Sequence, residues 1–221
     1  MRLKLIAFFC MALLTCSAFA SCGEKKNNSE SADKPVETKL GNVDPDGALK
    51  EDFKSVEELT EGPVLKLNNV TAKAGETAEV TISVTNADYQ WNMCGLHIVY
   101  PKELKCTFEN EEKRLVEYDL GSASKHSNGS TAMYWRDNQT EYMTSNNLDS
   151  VFFTEIFSDD SGMDGDIVTF YFQIPADAKS GTVYPIDFMY VDSDTFSNAK
   201  NEANFSKYAF EHWEGGSVTV E

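Results

Sequence analysis

The chain has 221 residues, 41% hydrophobic and 25% charged, with 36 acidic against 19 basic side chains and a formal net charge of −17. That length allows one domain of ordinary size or two small ones, with enough apolar residues for a core. The acid excess excludes a nucleic-acid binder, which clusters Lys and Arg against phosphates, and excludes charge-driven docking on an anionic membrane.

The chain opens on a short basic head, Arg2 and Lys4, followed by an apolar run from Leu5 to Ala20. A bilayer-spanning helix needs roughly 20 residues, and this shorter run has the layout of a secretory signal. Phe19-Ala20-Ser21-Cys22 resembles a bacterial lipobox, although Phe is less usual than Leu at its first position. The resemblance implies that residues 1–21 are removed and that Cys22 is lipidated. More than one acyl chain on that cysteine anchors the protein stably, where a single chain does not. Ala18-Phe19-Ala20 also fits the small-x-small cleavage rule, so plain secretion is the alternative. Loss of residues 1–21 leaves 17 basic and 36 acidic side chains, a formal charge of −19. Of the five cysteines, Cys10 and Cys16 leave with the signal, and Cys94 and Cys106 remain beside Cys22.

Residues 22–62 are expected to be a flexible linker, rich in Lys, Glu, Asn, Ser and Asp and broken by Pro35, Gly41, Pro45 and Gly47. Within it, Leu49, Phe53, Val56 and Leu59 have helical spacing and predict a short helix over 48–59.

From Pro63 the apolar period becomes two. Val64 to Leu67, Ala78 to Thr85, Cys94 to Tyr100, Ser130 to Trp135, Ile167 to Ile174, Val183 to Val191, Lys207 to Trp213 and the terminal Gly216-Ser217-Val218-Thr219-Val220 predict strands. One segment departs from this pattern. Leu148, Val151, Phe152 and Ile156 are spaced i, i+3, i+4, i+8 and predict a helix over 147–157 capped by Asn147. An irregular loop with buried aromatics is the alternative for that segment. Eight or nine short strands between Gly, Asn, Asp and Pro indicate an all-β sandwich over residues 63–221.

Four stretches in order resemble cohesin domains. They are Leu67 to Val80 with its Gly75-Glu76 turn, Cys94 to Leu104 around Tyr100-Pro101, Gly165 to Phe170 followed by Ala178-Lys179-Ser180-Gly181, and the closing Gly215-Gly216-Ser217-Val218-Thr219-Val220. The family's Asp between Tyr and Pro is missing here, and the helical insertion points to a divergent subgroup. The resemblance implies a nine-stranded jelly-roll sandwich that binds dockerins, small calcium-loop modules carried by cellulosomal enzymes and scaffolds. It implies a non-enzymatic module with no cofactor of its own, the Ca2+ belonging to the dockerin partner. It also places the partner on the sheet face built from the third, fifth, sixth and eighth strands. Pleat alternation then assigns that face to Met93, Gly95, His97 and Val99 on the third strand and to Thr131, Met133 and Trp135, with Arg136 at the rim, on the fifth. It assigns Thr169, Tyr171 and Gln173 on the sixth and Ala209, Glu211 and Trp213 on the eighth. Met, Trp, Tyr and Arg are the types enriched in binding cores. A register slip of one residue would turn any of these sets inward.

With the lipobox, these readings describe a monomeric, cell-surface anchoring cohesin, lipid-anchored on the extracellular face of a bacterial cell membrane and holding a dockerin-bearing protein. The alternative is a carbohydrate-binding sandwich, with Trp135, Tyr171 and Trp213 as a stacking platform. Counting from Asp160, the acidic run up to Asp166 fails the EF-hand pattern, with Gly162 third and Tyr171 twelfth, and is read as a solvated turn. His97, His126 and His212 have no metal-ligand spacing. Cys94 and Cys106 are either a disulfide or two buried thiols.

Overall fold

The computed structural model describes residues 40, 43–124, 129–136 and 140–221. The apolar leader, the lipobox, Cys22, residues 23–39 and His126 lie outside the described residues. In chain order the elements are helix α1 (Ala48–Asp52), strands β1 (Val64–Leu67), β2 (Asn69–Ala72), β3 (Thr77–Thr85), β4 (Met93–Pro101), β5 (Lys105–Cys106), β6 (Phe108–Asn110), β7 (Leu115–Val116), β8 (Tyr118–Leu120) and β9 (Ser130–Arg136), helix α2 (Glu141–Ser145), strands β10 (Leu148–Ile156), β11 (Gly165–Gln173), β12 (Val183–Met189) and β13 (Thr195–Ser197), helix α3 (Ala203–Glu211) and strand β14 (Gly216–Val220).

The strands form two sheets. One has the order β1-β3-β11-β5, with β8 also on β11; the other runs β2-β14-β12-β4-β10-β9-β7-β6, with β13 also on β4. Period-two burial builds the core between them. Ala78, Val80, Ile82 and Val84 of β3 and Val168, Phe170 and Phe172 of β11 meet Cys94, Leu96, Ile98 and Tyr100 of β4 and Val151 and Phe153 of β10. The expected jelly-roll sandwich is therefore present, and its first strand is shared between the sheets. β1 pairs with β3, and after Asn68 the chain crosses so that β2 runs parallel to β14. The Asn68 side chain accepts from Thr81 N at 2.9 Å and donates to Glu79 O at 3.3 Å, so the β3 backbone beyond β1 keeps its partners.

Two predicted elements are of the other type. The helix expected over 147–157 is strand β10, hydrogen-bonded to β4 on one side and β9 on the other. Its inner side carries Val151 and Phe153 and its outer side Leu148, Phe152 and Ile156, so apolar residues on both faces hide the period of two. Asn147, at a left-handed φ of 55°, leads into the strand instead of capping a helix. The inserted helix is α2, whose cap Thr140 accepts from Met143 N through Oγ1 at 3.1 Å. The strand expected over 207–213 is the end of α3. Phe205, Ala209 and Phe210 are buried at helical spacing, and Lys207 and Glu211 pair one turn apart at 4.0 Å.

The helix expected over 48–59 is the short α1 followed by turns. The chain around it lies against the sandwich, within the span expected to be flexible linker. Leu49 is buried, and the Phe53 ring lies 6.3 Å from Phe210 and 6.2 Å from Tyr190. Tyr190 donates to Asp52 at 2.8 Å and Lys207 donates to Val56 O at 3.0 Å. These apolar contacts offset the entropy of ordering the segment.

Candidate binding face

The outer face of the larger sheet presents alternate residues of β4, β9, β10 and β12. On β4 these are Met93, Gly95, His97 and Val99, because Cys94, Leu96, Ile98 and Tyr100 point into the main core. The register sets Met93 opposite Ile156, Gly95 opposite Thr154, His97 opposite Phe152 and Val99 opposite Ser150. On β9 the outer residues are Ser130, Ala132, Tyr134 and Arg136, paired in turn with Ile156, Thr154, Phe152 and Ser150. Met189 of β12 lies beside His97.

This face has two halves. At one end Val99, Leu148 and Met189 are buried beneath Met143 of α2, with Leu40 and Val43 packed against them. At the other end Met93, Ala132 and Thr154 are half-buried, while Ser130 and Ile156 are open. Ile156 is 46% exposed, one of two large hydrophobic side chains, with Tyr89, that are open among the described residues. Between the halves, rings and charges form a row. His97 and Phe152 lie 4.6 Å apart, and the Arg136 guanidinium stands 5.4 Å from the Tyr134 ring and 5.6 Å from Phe152. The His97 Nδ1 is 2.6 Å from Asp194 Oδ1, and Asp194 Oδ2 accepts from Val191 N at 3.1 Å. Burial raises the Asp194 carboxyl, and its bond to His97 opposes that rise. Beside the row is a groove of about 530 Å³ lined by His97, Phe152, Met189, Arg114 and Arg136 among others.

The structure brings together Met93, Gly95, His97, Val99 and Arg136 of the predicted set, and Val99 is already covered. It does not place the others there. Thr131, Met133 and Trp135 point inward: Met133 is in the core, Trp135 packs against it, and Thr131 Oγ1 lies 3.0 Å from the Tyr118 hydroxyl of the opposite sheet. The register expected for β9 is thus off by one residue. Thr169, Tyr171 and Gln173 do point outward, but from β11 in the smaller sheet. There Thr169 bonds Thr81, Tyr171 donates to Asp119, and Gln173 donates to Gly75 O. Glu211 and Ala209 belong to α3. The sixth strand of the face is β10, hidden by its helix-like spacing, and the eighth is β12. Sequence reasoning therefore missed Tyr134, Phe152, Thr154, Ile156 and Met189. The Val-Phe-Phe-Thr run of β10, β-branched and aromatic, is the signal that could have found three of them.

The proposed sugar platform is also dispersed. Trp135 is on the inner side of β9, Tyr171 is outside the smaller sheet, and Trp213 packs on Phe188 and Phe210 at 5.8 and 6.1 Å. The acidic turn is built into the fold. Asp164 accepts from Asn86 N and Ala87 N, and Asp160 accepts from Ala199 N at 2.6 Å. No group of three or more metal-ligating side chains occurs among the described residues. Cys94 and Cys106 are buried free thiols, one on each sheet, and burial drives both toward the neutral form.

No family model and no curated protein matches the chain. Solved structures do. A type III cohesin module from the cellulosomal cell-surface anchoring scaffoldin ScaE of Ruminococcus flavefaciens superposes with a TM-score of 0.58 at 21% identity, over 85% of this chain and 99% of that one. A chain of the Clostridium thermocellum Coh-OlpC–Doc435 complex, a type I cohesin–dockerin complex, superposes with a TM-score of 0.50 at 16% identity, over 76% of this chain and 98% of that one. The chain has the cohesin fold, a divergent jelly-roll sandwich with a short helix inserted before β10.

Proposed function

We propose that this protein is a binding module for a dockerin-bearing protein, without enzymatic activity, and that the dockerin docks on the outer face of β12-β4-β10-β9. The observation that carries the proposal is the open half of that face on a cohesin fold: Met93, Ile156, Ala132 and Thr154 form an apolar to weakly polar floor, bordered by Phe152, Tyr134 and Arg136. A flat floor of small and aliphatic side chains suits a helix laid across a sheet. Lipidation at Cys22 would hold the module on the extracellular face of the bacterial membrane, where it attaches a partner. The module is expected to act as a monomer. The calcium requirement belongs to the dockerin. Pull-down from secreted protein, with and without a chelator, tests the proposal. Calcium-dependent recovery of a dockerin protein supports it, and recovery of none counts against it.

A further inference from the structure

The chain contains three arginines. Arg2 lies in the expected signal, and both others, Arg114 and Arg136, line the groove that runs from the central row of rings toward the covered end of the outer face. They come from separate strands and turns, and each is placed over rings: Arg114 is 5.2 Å from the Trp135 ring, and Arg136 is over Tyr134 and Phe152. No acidic residue among the described residues lines that groove, in a chain where acids outnumber bases 36 to 19. The rest of its lining mixes the apolar Phe152, Met143, Met189 and Val191 with the uncharged hydroxyls of Thr140, Ser150 and Ser193 and the edge of His97. A guanidinium is weakly hydrated, offers paired donors that match a carboxylate, and loses little freedom when it already rests on aromatic rings.

We infer that the groove receives a carboxylate side chain of the docked partner, an Asp or Glu flanked by aliphatic residues, with Arg136 as its principal contact. The inference rests on the docking face proposed above and adds the chemistry of the contacting segment. Elsewhere the acidic surface repels such a segment, so this groove sets where and in which orientation it lands. His97 is fixed at its edge by Asp194, which leaves Nε2 as the ring's other polar atom.

A displayed library of calcium-loaded dockerin modules is the probe, titrated against the wild-type chain and the Arg136→Glu, Arg136→Lys and Ile156→Asp variants. The expected result is a loss of about tenfold or more in affinity for Arg136→Glu, a smaller loss for Arg136→Lys, and recovery when the partner's acid is changed to Lys. The mature chain has two arginines, so their side-chain NMR signals are assigned by Arg136→Lys, and the Arg136 signal shifts on binding. Binding abolished by Ile156→Asp but unchanged in Arg136→Glu keeps the docking face and overturns the carboxylate. Binding indifferent to both variants, or no binding by any dockerin, overturns the docking face and this inference with it.

Discussion

Glu155 offers a test of the inner side of β10 that is independent of any partner. The side chain is fully buried, Ser124 Oγ donates to its Oε2 at 2.6 Å, and Oε1 has no partner among the described residues. Burial lifts its carboxyl from 4.5 to about 7, against the opposing pull of the Ser124 bond. The folded state therefore holds this proton more tightly than the unfolded chain does. The associated stability is fully present below about pH 4.5, declines as pH rises toward 7, and is gone above that. Each tenfold difference in proton affinity is worth ~1.4 kcal/mol, so the window costs up to ~3 kcal/mol. Glu155→Gln keeps the shape and an acceptor for Ser124 but has no carboxylate to ionise. Its melting temperature should exceed wild type at pH 8 by roughly 5–10 °C for a domain of this size, and the gap should close or reverse near pH 4.5. Asp187, also raised by burial, to about 6, acts in the same direction but is common to both chains and cancels in the comparison. Thermal melts of both proteins from pH 4.5 to 8.5 measure the gap. A difference that does not change with pH would refute a buried carboxylate at this position.

Four further outcomes follow from the alternation of the sheets and the packing between them. Phe153→Ala empties a fully buried site and should cost about 3–5 kcal/mol in urea unfolding, whereas half-buried Phe152→Ala on the other side of the same strand should cost clearly less. Gly162→Ala would drive a Cβ into the buried Trp91 ring, so it should unfold at lower urea than wild type or fail to accumulate as folded protein. Ile156→Asp should leave the urea midpoint within the small range of exposed substitutions, about 0.5 kcal/mol, while removing dockerin capture. Tyr171→Ala, on the outside of the opposite sheet, should leave capture unchanged.

The sandwich was legible where one face of each strand is apolar and the other polar. β3 and β11 show that alternation, and β4 shows it well enough that Met93, Gly95, His97 and Val99 are assigned outward correctly. The signal fails where both faces bury apolar groups. β10 lies in the middle of the larger sheet, and its outer Leu148 is covered by α2, so its pattern imitates a helix. That single substitution of element type moved the sixth strand of the expected face onto the wrong sheet and took Thr169, Tyr171 and Gln173 with it. The register of β9 was illegible for another reason. Trp135 and Met133 are types that suit an interface or a core equally, and only pairing with β10 decides between them. The docking of Leu49 and Phe53 was half legible: their apolar spacing was visible, but the partners Tyr190 and Phe210 are far away in sequence.

The most direct test of the central claim is titration calorimetry of the lipid-free chain with calcium-loaded dockerin modules, repeated with Ile156→Asp and after chelation. The account predicts saturable one-to-one binding that disappears with the chelator and with Ile156→Asp, while the fold of this chain is unchanged in both cases. Retention of full affinity by Ile156→Asp, or heat on addition of polysaccharide but not of any dockerin, would contradict it.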